Sequence, residues 1–353
     1  MLRSARESAG LSLSEVAART HYSRGHLSNV ETGKRVASPD VVLAYERVLG
    51  EVMDRGRRGL LAGIAAGVVA PAATAELLRR GFAAAIGERP SLDEWRSRVE
   101  EYGHDYMTVG AGELQSRLAG DLVVLQQQLE GPERWSVAAR LLALYAKTTP
   151  GAENSSRWYR LAVTAADRSG DLPSRVWVRG RAALAMAYEG KGLATAGRLA
   201  RQAMALSDTP SLGGLNAVMA MAHVGGAKGD TDTAYGMLDK GKRLFDAVGS
   251  DEQVSDYAVP EWRMHTFTSM LLSRMGDERG AVIAQEGADR ARPKSLPRFA
   301  THIQMHRGLM MANAGDVAGG VAYARSAMAK LPVNRQSLTL RLLLAEVEQA
   351  GSV

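Results

Sequence analysis

Apolar positions along this chain recur at helical spacing, and strand-like alternation is rare. From about residue 93 onward, amphipathic segments of roughly fifteen to twenty residues alternate with short Gly-containing turns. A Gly-Asp step recurs in those turns, at Gly229-Asp230, Gly276-Asp277 and Gly315-Asp316, with Gly192-Leu193 in the equivalent place one unit earlier. The spacings of 37, 47 and 39 residues are those of a helical repeat with loops of variable length. Aligned on the step, Ala185, Ala222, Ser269 and Gly308 form one column, and Gly197, Ala234, Ala281 and Gly320 another. Both columns are small throughout, as two closely approaching helices of a hairpin require. Earlier hairpins are expected at 93–131 and 133–169, giving five or six units and a capping helix near 334–350.

The first fifty residues follow a different plan. Residues 2–9 predict a short amphipathic helix stopped by Gly10. Ser12 and Glu15 have the spacing of a capping box. Val16 and Ala17 then face inward, and His21 falls at a tight turn where the backbone is expected to go left-handed. Ser23 caps the next helix, which buries Leu27 and Val30 and exposes Arg24, Gly25, His26, Ser28 and Asn29. Gly33 ends it. Ser38-Pro39-Asp40 opens another helix with Pro at its first position, with Val41, Val42, Tyr45 and Leu49 inward and Gly50 as the stop.

Between the two patterns, Gly59 to Ala75 carries no charge and follows Arg57-Arg58. The stretch falls short of the roughly twenty residues a membrane span needs. It is rich in Ala and Gly, and Pro71 interrupts it, so a buried connecting helix is expected and membrane contact is not. The expected organisation is therefore 1–50, an apolar linker helix region at 51–92, and a helical repeat domain at 93–353.

Net charge is +6 with a pI of 9.6, which permits nucleic-acid binding. The surplus is spread out: residues 1–50 hold seven Lys/Arg against five Asp/Glu. With no cysteine, structural disulfides, thiolate metal sites and cysteine nucleophiles are excluded. The polar N-terminus is not that of a secretory signal, and a cytoplasmic protein is expected.

The arrangement of Glu15-Val16-Ala17, Ser23, Leu27-Ser28, Glu31 and Gly33 resembles the Cro/cI-type, or XRE, helix-turn-helix family, over residues 1–50. The resemblance implies that the second helix of the motif reads a double-stranded DNA operator in the major groove. Arg24, Gly25, His26 and Asn29 then take the base-reading places, and Ser12, Ser14, Ser23, Ser28, Lys34 and Arg35 lie on phosphates. Leu13 departs from the family, which often has a Gln there, and Gly25 offers no side chain to a base. Both weaken readout, so a homodimer is expected to supply the missing affinity.

The repeats resemble the tetratricopeptide repeat, without its usual large aromatic. That resemblance implies a concave groove lined by Arg179, Asn216, Arg263 and His302, then Ala182, Met219, Thr266 and Met305, then Met186, His223, Met270 and Leu309. Such a surface suits a signalling peptide, an anionic small ligand or a partner protein. The competing reading makes the methionines ordinary core and the polar column solvated surface. The whole is similar in architecture to the peptide-sensing regulators of Gram-positive bacteria.

Catalytic chemistry is absent from the pattern. His302 and His306 are spaced i, i+4, yet Ile303 stands where a zinc-protease motif needs Glu. No phosphate-binding loop, nucleophile elbow or catalytic carboxylate pair appears, so no enzyme, metal or cofactor is expected. The chain reads as an all-α protein: a five-helix-type helix-turn-helix domain followed by an α-solenoid of tetratricopeptide-like hairpins. Its expected function is ligand-modulated, sequence-specific transcriptional regulation. The alternative is a protein-docking adaptor with a vestigial DNA-binding domain.

Overall fold

A computed structural model of the chain describes residues 11–35 and 89–350, together with Leu2, Arg6, Ser38, Asp40–Val42, Ala44, Tyr45, Val48, Arg79 and Gly87. The fold is all-α, and no strand occurs among the described residues. The chain forms two compact units, Met1–Glu76 and Leu77–Val353. The uncharged 59–75 stretch and most of the linker region lie outside the described residues. Among those described, no helix is long and apolar enough to cross a membrane.

In the first unit, α1 (Leu13–Ala18) and α2 (Arg24–Glu31) enclose a four-residue turn plus a cap. The capping box forms: Glu15 N–H donates to Ser12 Oγ at 3.2 Å, and Ser12 N–H to Glu15 Oε2 at 2.7 Å. Those bonds hold the Glu15 carboxyl below its ordinary value. Ser23 caps α2 in the same way. His21 keeps a negative φ, so the expected left-handed turn does not occur; a longer turn accommodates the chain reversal instead. Val16, Leu27, Val30, Val41 and Tyr45 form the core as expected. Val48 joins them, while Val42 is only half-buried and Leu49 lies outside the described residues.

The second unit is six helical hairpins and a cap among the described residues. The hairpins are α3 (Leu92–Thr108) with α4 (Ala111–Leu125), α5 (Pro132–Thr148) with α6 (Ala152–Ser169), and α7 (Leu172–Tyr188) with α8 (Leu193–Leu206). They continue with α9 (Leu212–Ala227) and α10 (Thr231–Val248), α11 (Glu261–Met275) and α12 (Glu278–Ala291), and α13 (Pro297–Asn313) and α14 (Val317–Ala329). Helix α15 (Leu338–Gln349) closes the array.

The Gly-Asp step explains itself in the structure. Gly229, Gly276 and Gly315 adopt φ of 73°, 75° and 102°, ending one helix, and the following Asp side chain caps the next. Each Asp N–H also returns to a carbonyl five residues back, as Asp230 does to Gly225 at 3.0 Å. This is a Schellman turn fused to an N-cap. In the first of the four units the equivalent bond runs from Lys191 to Met186, so the left-handed glycine of the Schellman turn is Gly190, and Gly192 is a second left-handed residue after it. Gly192 is an extra residue that caps α8. The true spacings become 39, 47 and 39 residues, and the upstream small column passes through the fully buried Ala183 rather than Ala185.

Close helix crossings fix the stacking. A Cβ on Gly213 would lie 2.6 Å from Trp177 Cα and 2.7 Å from its nitrogen, and one on Gly180 would lie 2.1 Å from the Gly213 carbonyl oxygen. Gly308 and Gly320 cross in the same way between α13 and α14.

The array also curls back on itself. The Arg298 guanidinium on α13 donates to the Tyr106 carbonyl on α3, 192 residues away. Met107, Trp262 and Leu296 share a small core, and Asn334 seats its carbonyl against Gly110. At the other end Arg274 of α11 grips Glu346 of α15 with two bonds of 2.7 and 2.8 Å, and donates to the carbonyls of Ala187 and Tyr188. The concave side is thus filled.

Two glycines should respond to alanine with opposite signs. Gly213→Ala places a methyl against backbone that cannot yield, and is expected to cost about 1–3 kcal/mol. Gly236 on exposed α10 has nothing within 4 Å of its Cβ position, and Gly236→Ala should gain about 0.5–1 kcal/mol from helix propensity. Thermal unfolding followed by circular dichroism checks both.

Candidate functional site

The surface of α2 is built from the core outward. An acid in the last helical turn sits at the unfavourable end of the helix dipole, yet Glu31 is there. It stays because Arg6 meets it bidentately, Nε to Oε1 at 2.7 Å and Nη2 to Oε2 at 2.8 Å, with the Glu31 side chain 4% exposed. The Tyr45 hydroxyl donates to the same carboxylate at 2.8 Å, and Arg6 also donates to the Leu11 carbonyl. Burial and then the bond to Glu31 push the Tyr45 phenol up. One carboxylate therefore joins the segments before, within and after the motif, fixing the angle of α2.

On the outer face, Arg24, Gly25 and Asn29 are exposed, and Arg24 and Asn29 make no side-chain bond with any described residue. His26 is half-buried; its ring stacks on Tyr22 at 5.0 Å and its Nδ1 accepts from Arg35 at 3.3 Å. This bond lays Arg35 along the same face. Ser14 and Lys34 are exposed and Ser28 is half-buried. Ser12 and Ser23 accept from the backbone while keeping a hydroxyl proton to donate. Leu13 is half-buried against the core of the unit, which accounts for an apolar residue at that place.

Residues 1–58 match a family model described as a helix-turn-helix domain. No curated protein and no solved structure matches the chain. The helix-turn-helix domain is a DNA-binding fold, and the free face of α2 is the one that enters the major groove in that fold.

The residues expected to line a groove in the second unit are buried. Met219, Met270 and Met305 are at most 1% exposed, and Met186 and Leu309 are core as well. Ala182, Asn216 and His223 are buried within α7 and α9. Arg179 pairs with Asp167 of α6 at 2.7 Å, away from the helices that carry its expected column-mates. The physical reason is twofold: the superhelix closes over its concave side, and the two-residue offset at Gly190 puts Arg179 out of register with Arg263.

What the curled array encloses is a cavity of about 70 Å³, and Arg263, Thr266 and His302 do line it. Its centre is Asp256, on the Gly249–Pro260 connection between α10 and α11. That carboxylate receives Lys147 from α5, Arg181 from α7 at 2.9 Å and Arg263 from α11 at 3.3 Å. Burial would raise Asp256, but Arg181, Lys147 and Arg263 together hold it below the usual carboxylate range. Arg263 is further committed to its own loop, donating to the carbonyls of Ser255, Asp256 and Ala258. The sequence signal for this cluster was the 47-residue spacing, where eight extra residues carry Asp256 inward.

The paired histidines also have partners. Tyr188 Oη lies 2.8 Å from His306 Nε2 and 3.2 Å from His302 Nδ1, and Ser269 Oγ is 2.9 Å from His306 Nδ1. Among the described residues no group of three or more His, Asp or Glu is placed to hold a metal ion. Burial pulls His223 and His302 down to about 3, with Arg274 acting on the first and Arg298 and Lys147 on the second. Burial, His302 and Arg274 lower His306.

Two outcomes follow. Glu31→Gln removes the charge that Arg6 needs, and should destabilise the first unit by about 3 kcal/mol in urea unfolding, with an accompanying loss of DNA binding. In the second unit the three imidazoles take protons when unfolded below pH about 6.5, but not when folded until far lower pH. Stability is therefore intact at pH 7 and falls as pH drops through 6 towards 3. At pH 5 the loss should be about 2 kcal/mol per histidine, and His223→Phe should flatten the slope by one proton.

Proposed function

We propose that the protein is a sequence-specific DNA-binding transcriptional regulator whose repeat unit carries the regulatory input. The observation that carries this reading is the outer face of α2: Arg24 and Asn29 stand exposed and unbonded, on a helix anchored from behind by Glu31. Arg24 suits a guanine O6/N7 edge and Asn29 an adenine. Ser12, Ser14, Ser23, Ser28, Lys34 and Arg35 supply phosphate contacts that set register. Gly25 and Leu13 contribute little, so two half-sites are needed, and we infer a cytoplasmic homodimer held by the repeat unit. A ligand preferring one dimer geometry then shifts DNA affinity by its differential binding free energy. The buried state of the expected groove favours a small ligand over a peptide.

A second reading, a docking adaptor with a vestigial DNA-binding domain, draws on Leu13, whose half-buried side chain offers no hydrogen bond to a phosphate.

Fluorescence anisotropy against the gene's own upstream DNA and an unrelated duplex separates the two. Tight binding to one duplex is expected, falling steeply with salt and weakened about 5- to 150-fold by Arg24→Ala, the equivalent of about 1–3 kcal/mol. Equal weak binding to every duplex from a genomic selection would favour the adaptor. Light scattering at micromolar concentration should give a dimer; a monomer would remove the cooperative half of the proposal.

A further inference from the structure

The cavity within the array has more positive charge than its carboxylates answer. Lys147, Arg181, Arg263 and Arg298 line it, against Asp256 and Glu189, a formal excess of two positive charges. Arg298 has no carboxylate within ion-pair distance among the described residues; it lies over the rings of Tyr106 and Phe299, each 4.9 Å from the guanidinium carbon. Lys147 Nζ lies 3.7 Å from the Tyr106 ring centre. Arg181, 5% exposed, keeps its Nε–H without an acceptor, while Lys147, Arg181 and Arg263 all meet Oδ1 of Asp256 and leave its Oδ2 without a donor. A buried donor on a charged group left unmade is costly, and so are like charges gathered out of water.

Trp262, Phe267 and Phe299 add aromatic, apolar surface to the same lining. A cavity of about 70 Å³ can hold several waters or the head of a small anion, at roughly 10–15 Å³ per water on this measure, and it is partly open, so a larger body can project from it. We infer that this cavity is the binding site of a small organic anion, its carboxylate or phosphate head on Arg181, Lys147 and Arg298 and its apolar body against Phe267 and Phe299. The anion would supply the missing acceptor for Arg181 Nε and answer the excess charge. Burial, with repulsion from Arg181 and Arg263, draws Lys147 well below the ordinary lysine value, and an anion beside it would draw the amine back towards its charged form. The consequence for DNA rests on the regulator reading above; the chemistry of the site does not.

The test uses the full chain and a panel of benzoate, succinate and inorganic phosphate at constant ionic strength, with neutral benzamide as control. Calorimetry and thermal unfolding are read for wild type, Lys147→Met and Ala185→Leu. Wild type should bind at least one of the three anions saturably, with an unfolding temperature that rises by several degrees, and benzamide at least tenfold more weakly. Lys147→Met should lose the anion response. Ala185→Leu keeps every charge but fills the cavity, and should lose the response too. A flat response to all three anions overturns the proposal. So does benzamide binding as well as benzoate. DNA anisotropy with and without the bound anion is a separate readout: unchanged DNA affinity leaves the site standing and refutes its coupling to the operator.

Discussion

A single buried carboxylate organises the larger unit. Asp256 receives three cations from three helices, and its own backbone N–H donates to the carbonyl of Gly103 at 2.9 Å on α3. Gly103 has to be glycine for this, because a Cβ there would lie 2.6 Å from the Tyr257 ring and 2.7 Å from Ser255 Oγ. The loop is in turn shaped by Arg263 through three of its carbonyls. Carboxylate, loop and helices hold one another, so charge complementarity decides where the array bends and where it leaves space. Apolar burial alone would not, since the alanine-rich hairpin faces are nearly interchangeable.

The smaller unit uses the same device for a different end. Glu31 is satisfied from both sides by Arg6 and Tyr45. The result is a rigid platform whose outer face holds unbonded polar groups. In both units an ion pair positions elements, and in the larger one the cations that line the cavity outnumber its carboxylates. Buried pairs contribute little net stability by comparison with apolar replacements, so their value here is geometric.

Much of this was legible in the residues. Ser12 with Glu15, and Ser23 before Arg24, announce helix starts because only a side-chain oxygen can satisfy amides that have no carbonyl to meet. The Gly-Asp steps announce hairpins because one residue must be left-handed and the next must cap. What escaped the pattern escaped for physical reasons. A second left-handed glycine at position 190 hid a two-residue offset that periodicity could not resolve, so the column of Arg263 passes through Trp177 and not Arg179. The curl of the array depends on contacts such as Arg298 with Tyr106, which local spacing cannot encode. Methionine columns read equally well as groove or core until that curl is known, and closure decided for core.

Stacked hairpins ordinarily touch only their neighbours, which makes their folding nearly one-dimensional and lets ends fray independently. Here the bond from Lys147 to Asp256 spans 109 residues and that from Arg298 to Tyr106 spans 192. Those links turn a chain of neighbours into a ring, so loosening any one hairpin slackens hairpins far from it in sequence. Such a unit has few intermediate degrees of order to visit, and a perturbation at its centre is felt at its rim.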